Sequence, residues 1–158
     1  PLDVIYRRNN DPVFEHVITR GRQRVFENVL ERSDMRAIVR KLREGRVIWY
    51  SPDQDFGRRH SVFAPFFGVS ASTLTTTAQL ARMGRANLCC GFHYRDPVTH
   101  EYSLVFRPVP TCFPTGDDIA DATLINELIE AGIREAPEQY MWVHRRFKTR
   151  PGGEPSLY

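Results

Sequence analysis

Asp53 and Asp55 stand two residues apart in the segment Ser51-Pro52-Asp53-Gln54-Asp55-Phe56-Gly57. On a strand-to-loop transition, such a pair of carboxylates can bind a metal, orient an arginine or take part in proton transfer. Equally, one can close an Asx turn while the other stays solvated. A second cluster is Arg20-Gly21-Arg22-Gln23-Arg24; helical spacing would put Arg20 and Arg24 one turn apart with Arg22 pointing elsewhere. Its guanidinium groups could hold phosphate or form a solvated basic face. The run Thr73-Leu74-Thr75-Thr76-Thr77 could supply anion-binding donors at a helix start, or only a cap and close packing. Last comes His144-Arg145-Arg146-Phe147-Lys148-Thr149-Arg150, with Trp142 and Phe147 as aromatic neighbours. That composition suits an anionic membrane surface, a phosphosugar or nucleic acid. No helix-turn-helix, RRM or KH pattern supports nucleic acid, which is set aside. There is no G-x-S-x-G elbow, P-loop or G-x-G-x-x-G, and His16, His60, His93 and His100 form no constellation. Cys89, Cys90 and Cys112 make no C-x-x-C pair and lack a histidine at zinc-ligand spacing. Adjacent Cys89 and Cys90 read as buried small residues of a protein in a reducing compartment, with no metal expected.

The elements that must position these groups alternate between strand and helix periods. Asp3-Val4-Ile5-Tyr6 reads as a strand, and Asp11-Pro12 as an N-cap followed by proline at the first helical position. Val13, Phe14, Val17 and Ile18 then recur at helical spacing. A second helix starts at Ser33 or Asp34, carries Met35, Ile38, Val39 and Leu42 on its apolar stripe and ends at Gly45. Residues 46–50 read as a buried strand that delivers the Asp53 loop. An irregular aromatic stretch (Phe63, Phe66, Phe67) precedes a helix over 72–83 that ends at Gly84. Strands are expected over 86–93 and 102–106, with a turn at Asp96-Pro97 between them. Asp117 or Asp118 caps a long helix carrying Ile119, Leu124, Ile125, Leu128, Ile129 and Ile133, and Pro137 opens a further turn over 137–140. This order predicts an α/β domain with a mixed sheet and flanking helices. In such sheets ligands sit beyond the carboxyl ends of strands, where the loop after Tyr50 lies.

Composition bounds the reading. With 158 residues, 41% hydrophobic and 26% charged, the chain can bury roughly two-thirds of its unfolded surface, which excludes collagen-like and disordered classes. No run approaches the roughly 18–20 apolar residues of a membrane span. Pro1 opens the chain without a signal peptide, and the start inside a strand suggests a piece of something longer. The net charge of +3 is mild, yet 20 of the 22 basic residues are arginine. Bidentate pairing with phosphate or carboxylate favours phosphate-bearing or acidic partners, although a GC-rich genome gives the same bias. Basic charge is concentrated in residues 1–59, with 13 Lys/Arg against 9 Asp/Glu.

Several segments together resemble a known family. They are Trp49-Tyr50-Ser51-Pro52-Asp53-Gln54-Asp55-Phe56-Gly57, Ser61-Val62-Phe63-Ala64-Pro65-Phe66-Phe67-Gly68, Thr75-Thr76-Thr77 and Leu80-Ala81-Arg82-Met83. To these is added the ending Ala136-Pro137-Glu138-Gln139-Tyr140-Met141-Trp142-Val143-His144-Arg145-Arg146-Phe147-Lys148-Thr149-Arg150-Pro151. From Tyr6-Arg7-Arg8-Asn9-Asn10 to Tyr158 the chain resembles the lauroyl/myristoyl (late) acyltransferases of lipid A biosynthesis in Gram-negative bacteria. These are similar to the glycerophosphate acyltransferase superfamily. The resemblance implies transfer of a fatty acyl chain from acyl carrier protein to a hydroxyl of the Kdo-bearing lipid A precursor, in lipopolysaccharide biosynthesis. It implies general-base activation and oxyanion stabilisation, no cofactor beyond the acyl-carrier co-substrate, and a place on the cytoplasmic face of the inner membrane. The acidic carrier and the phosphate-bearing acceptor both suit an arginine-rich surface.

In that family the base is the histidine of an H-x(4)-[DE] motif. Five residues after His16, His60, His93, His100 and His144 stand Gly21, Pro65, Val98, Val105 and Thr149, none of them acidic. The resemblance therefore makes residues 1–158 a C-terminal half, with the motif and a hydrophobic anchor expected upstream and the chain alone expected to be inactive. Arg22 and Arg24 match a motif that contacts acceptor phosphate, and Asp53, with Asp55 beside it, matches the acidic motif next to the active site. Asp53 is thus expected to support catalysis by positioning an arginine or the acceptor. Arg145 and Arg146 are expected to face the diphosphorylated acceptor or anionic lipid. Cys90 departs from the family, where proline is common, which bears on the geometry of that strand. The alternative is a non-catalytic lipid- or partner-binding domain that keeps the acyltransferase fold.

Overall fold

The computed structural model describes residues 2–158 in two compact units, one of residues 2–51 with 82–86 and the other of residues 52–81 with 87–158. In the first, β1 (Leu2–Tyr6) is central to a parallel three-stranded sheet with β2 (Val29–Glu31) and β3 (Val47–Trp49), in the order β2-β1-β3. Val4 pairs with Val29 on one side and Asp3 with Ile48 on the other. Between the strands run α1 (Pro12–Arg22) and α2 (Met35–Arg43), as parallel crossovers require.

Burying Asp3 completely in the central strand is tolerable only because it is paired. Arg46 donates to it from Nη2 (2.6 Å) and Nε (3.1 Å), and Asn28 from its backbone N and Nδ2 (3.2 and 2.9 Å). The adjacent Arg46 guanidinium holds the Asp3 carboxyl below its ordinary range. The caps fall where the sequence places them. Asp11 Oδ1 accepts from the Phe14 amide at 2.7 Å with Pro12 at the first helical position, and Asp34 Oδ1 accepts from Ala37 N at 3.0 Å. Gly45, with φ +78°, closes α2. Three expectations need correction here. First, α1 stops at Arg22, so Arg24 lies in a turn rather than on the helix face of Arg20. Second, α1 buries no residue, its Val13, Phe14 and Val17 being exposed. Third, β3 is not a buried strand: it pairs only with β1 among the described residues, and Val47 and Trp49 are exposed.

The second unit is built on two antiparallel hairpins and a long helix. β4 (Ser61–Phe66) and β5 (Val69–Leu74) turn at Phe67-Gly68, both with positive φ (49° and 75°), the two-residue geometry that matches strand twist. The expected irregular stretch and the first turn of the expected 72–83 helix are therefore strand. β5, with the β-branched Thr73 in it, runs to Leu74, and α3 (Thr76–Gly84) begins only afterwards. β6 (Cys89–Arg95) pairs with β7 (Tyr102–Pro108) across the Asp96-Pro97 turn. The α/β class holds, with parallel and antiparallel strands sorted into separate small sheets. Cys90 sits in the regular β6–β7 ladder opposite Arg107, half-buried. Cys89 is exposed, which corrects the reading of a buried Cys89–Cys90 pair, because alternate β6 residues face outward.

α4 (Asp118–Ile133), capped by Asp117, lies on β4. Phe66, Ala71 and Ile133 form the core with Phe67, Ile129, Tyr140 and Phe147 around them. Beside this apolar core the seam between α4 and the hairpin carries polar contacts: Asn126 Nδ2 donates to Pro65 O (2.8 Å) and Thr73 Oγ1 (3.0 Å). Glu130 Oε1 accepts from the Phe67 amide that begins the turn. After α4, a short 3-10 turn at Pro137–Gln139 leads into the basic ending.

Candidate functional site

The Asp53 loop is held rigid by a carboxylate that is not Asp53. Asp55 Oδ1 accepts from Gly57 N (2.8 Å), closing an Asx turn, and from Thr149 Oγ1 (2.9 Å), while its Oδ2 accepts from Thr149 N (2.8 Å). Ser72 Oγ donates to Gly57 O at 2.6 Å, tying the same loop to β5. Arg58 Nη2 donates to Arg150 O (2.5 Å), and Arg150 Nη1 to Ser70 O (2.6 Å). The loop and the basic ending thus form one assembly, and Asp55 is spent on building it.

Arg146 lies inside this assembly rather than on its surface. It is 3% exposed, and its guanidinium donates to Ser72 O (2.6 Å), Thr73 Oγ1 (3.0 Å) and Asn126 Oδ1 (3.3 Å). It also stacks 5.1 Å from the Phe66 ring centroid. The sequence suggested phosphate contacts for Arg145 and Arg146 alike. The two neighbours part: Arg145 is exposed, over the Tyr158 ring at 5.7 Å, and Arg146 enters the core.

Asp53 is half-buried in the same unit, and its charge is felt at half-buried Tyr140 and at buried Arg146. Tyr140 is pushed up to about 12, first by burial and then by the Asp53 carboxylate, with Arg146 opposing. Burial pulls the Arg146 guanidinium down, against the stabilising charges of Tyr140, Asp55 and Asp53. A carboxylate placed beside a buried cation and a phenol in a fixed loop can orient a donor or a cationic group.

The remaining candidates belong to the first unit. Arg22 is half-buried at the end of α1 with its guanidinium 5.3 Å over the Tyr6 ring, and its Nη1 is buried without a hydrogen-bond partner. Arg24 is exposed two residues on. Beneath them, Glu15 accepts from Asn9 N (2.8 Å), Tyr6 Oη (3.0 Å) and Thr19 Oγ1 (3.0 Å), and these bonds, the Asn9 amide first, bring it down to about 2. Among the described residues, no group of three His, Cys, Asp or Glu side chains could hold a metal, and no helix is long and apolar enough to cross a membrane.

Sequence reading missed Thr149, Asn126 and Thr73 as the partners that fix Asp55 and Arg146. Thr149 lies 94 residues from Asp55, so no local spacing announces the pair. The threonine run was visible, but Thr73 serves a buried polar network, at 2% exposure, rather than a helix start.

The chain is 45% identical over 98% of its length to lipid A biosynthesis lauroyltransferase of Escherichia coli K12, covering 51% of that protein. It is 42% identical to the palmitoleoyltransferase of the same strain and 32% to its myristoyltransferase, over 100% and 99% of the chain and 52% and 49% of those proteins. The chain spans about half the length of the curated relatives it matches. Residues 1–149 match the family model described as bacterial lipid A biosynthesis acyltransferase, a span that takes in Arg22, the Asp53 loop and its Thr149 anchor. The chain belongs to the bacterial lipid A biosynthesis acyltransferase family.

Proposed function

We propose that the protein carrying this chain transfers a fatty acyl group from the thioester of acyl carrier protein to a hydroxyl of the Kdo-bearing lipid A precursor, at the cytoplasmic face of the inner membrane. The observation that carries the reading is the family match over residues 1–149, within which Asp53 stands on a loop tied down just after it, at Asp55 and Gly57. A general base removes the acceptor hydroxyl proton as the oxygen attacks the thioester carbonyl carbon. The tetrahedral oxyanion then collapses, the carbon–sulfur bond breaks, and the carrier thiolate takes up a proton. None of the five histidines has an acid five residues on, so the residues of this chain act around the reaction and not as its base.

In this reading Asp53 positions an arginine or the acceptor. Arg22, Arg24 and Arg145 offer guanidinium groups to the acceptor phosphates, and Arg146 with Asp55 keeps the Asp53 loop in place. Exposed Met141, Trp142 and Val143 beside Arg145 and Lys148 suit a membrane interface, where apolar side chains enter and cations meet anionic headgroups. No cofactor enters the scheme. The relatives are named for lauroyl, palmitoleoyl and myristoyl groups, so the donor here is assigned to the same fatty acyl class and no single length. In the complete protein, Asp53→Ala and Arg22→Ala should each abolish acyl transfer while circular dichroism stays that of the parent. Near-normal turnover in both would reject the site assignment and favour a non-catalytic lipid-binding domain.

A further inference from the structure

One face of α2 carries a groove that the acyl-transfer reading leaves unused. Met35 and Val39, one helical turn apart, and Met83 line an open depression of about 510 Å³. Arg36, Arg40 and Arg43 stand around it, with Glu44 at one end. That single carboxylate is already engaged by Lys41 at 2.9 Å and approached by Arg40 at 4.0 Å. Arg43 is braced by donating Nε to Met83 O at 2.8 Å, and Arg36 has no ion pair among the described residues. The result is an apolar floor, two-thirds methionine and therefore adaptable, inside an excess of exposed positive charge.

We propose that this groove docks an acidic helix of a protein partner, and, resting on the acyl-transfer reading, that the partner is the acyl carrier protein that brings the donor. The nine residues of α2 span roughly 14 Å at 1.5 Å per residue, which matches two to three turns of a facing helix. An amphipathic helix would seat apolar side chains on Met35, Val39 and Met83. Carboxylates one turn apart would face Arg36 and Arg40, giving the charge complementarity that speeds and orients association. A lipid chain would ask instead for an enclosed channel, and this depression is open.

The test uses the complete protein and acyl-loaded carrier protein as the probe, with binding followed by fluorescence anisotropy at two salt concentrations. The exposed double variant Arg36→Glu/Arg40→Glu should weaken carrier binding by about tenfold or more and flatten its salt dependence, as loss of steering charge requires. Its KM for the acyl carrier should rise with little change in kcat. The uncharged Met83→Gln should weaken binding without altering the salt slope. Carrier binding unchanged in both variants, while the parent still uses carrier-bound acyl groups, would overturn the docking site alone. A parent that neither binds the carrier nor accepts acyl groups from it would overturn the donor reading as well. Loss of sedimentation with phosphatidylglycerol vesicles, with carrier affinity intact, would make the groove a lipid-headgroup site and refute the proposal.

Discussion

Replacing Arg146 with methionine separates a structural arginine from a phosphate-binding one. Methionine keeps much of the stem against Phe66 but removes every donor, leaving Ser72 O, Thr73 Oγ1 and Asn126 Oδ1 without the guanidinium that now satisfies them. Leaving buried neutral acceptors without their donor costs about 1–3 kcal/mol each, so losing the guanidinium from this network costs about 3–5 kcal/mol in all. With a urea dependence of about 2 kcal/mol per molar, the unfolding midpoint of the second unit should fall by about 2 M. Trp142 fluorescence reports that unit once Trp49 has been replaced by phenylalanine, since these are the two tryptophans of the chain. Exposed Arg145→Ala should move the same midpoint by no more than the equivalent of about 0.5 kcal/mol. An Arg146→Met midpoint indistinguishable from that of Arg145→Ala would refute the assignment of Arg146 to the core network.

The Asp55–Thr149 contact should appear as coupling. In a double-mutant cycle of Asp55→Asn and Thr149→Val, unfolding free energies should depart from additivity by about 1 kcal/mol, whereas additivity within about 0.3 kcal/mol would show that the loop is held otherwise. Glu15 sets an acid limb. Its folded value of about 2 lies below the ordinary 4.5, so its contribution is complete above 4.5 and is lost as pH falls toward 2. The stability of Glu15→Gln should accordingly depend less on pH between those values than the parent's; parallel curves would contradict the cited hydrogen bonds. The losses of turnover expected for Asp53→Ala and Arg22→Ala complete this set.

What could be read from the chain was whatever is settled locally. The Asp11-Pro12 start, the Asp34 cap with its Gly45 stop, and Asp117 before α4 are each decided within one turn of backbone, and each falls where the sequence puts it. The β4–β5 hairpin escaped because its turn is Phe67-Gly68, without the Asn or Asp that usually marks two positive φ values. Its second strand carries small hydroxyl residues that also suit a helix start. Ser72 and Thr73 are buried in β5 because Arg146 and Asn126, far away in sequence, satisfy them. The same long-range logic hid the division of labour at the site. Asp53 and Asp55 are equivalent by spacing, and only Thr149 shows that Asp55 builds the loop. Arg145 and Arg146 are adjacent and identical in type, and packing alone sends one to solvent and the other to the core.

The central claim is acyl transfer from carrier protein to a lipid A precursor, and product mass measures it most directly. Purified complete protein, acyl-loaded carrier protein and the Kdo-bearing precursor should give a product heavier by one acyl group, with matching release of carrier thiol and no product from Asp53→Ala. Tight binding of the precursor with neither mass gain nor thiol release, in protein of native circular dichroism, would contradict the account and leave a lipid-binding domain in its place.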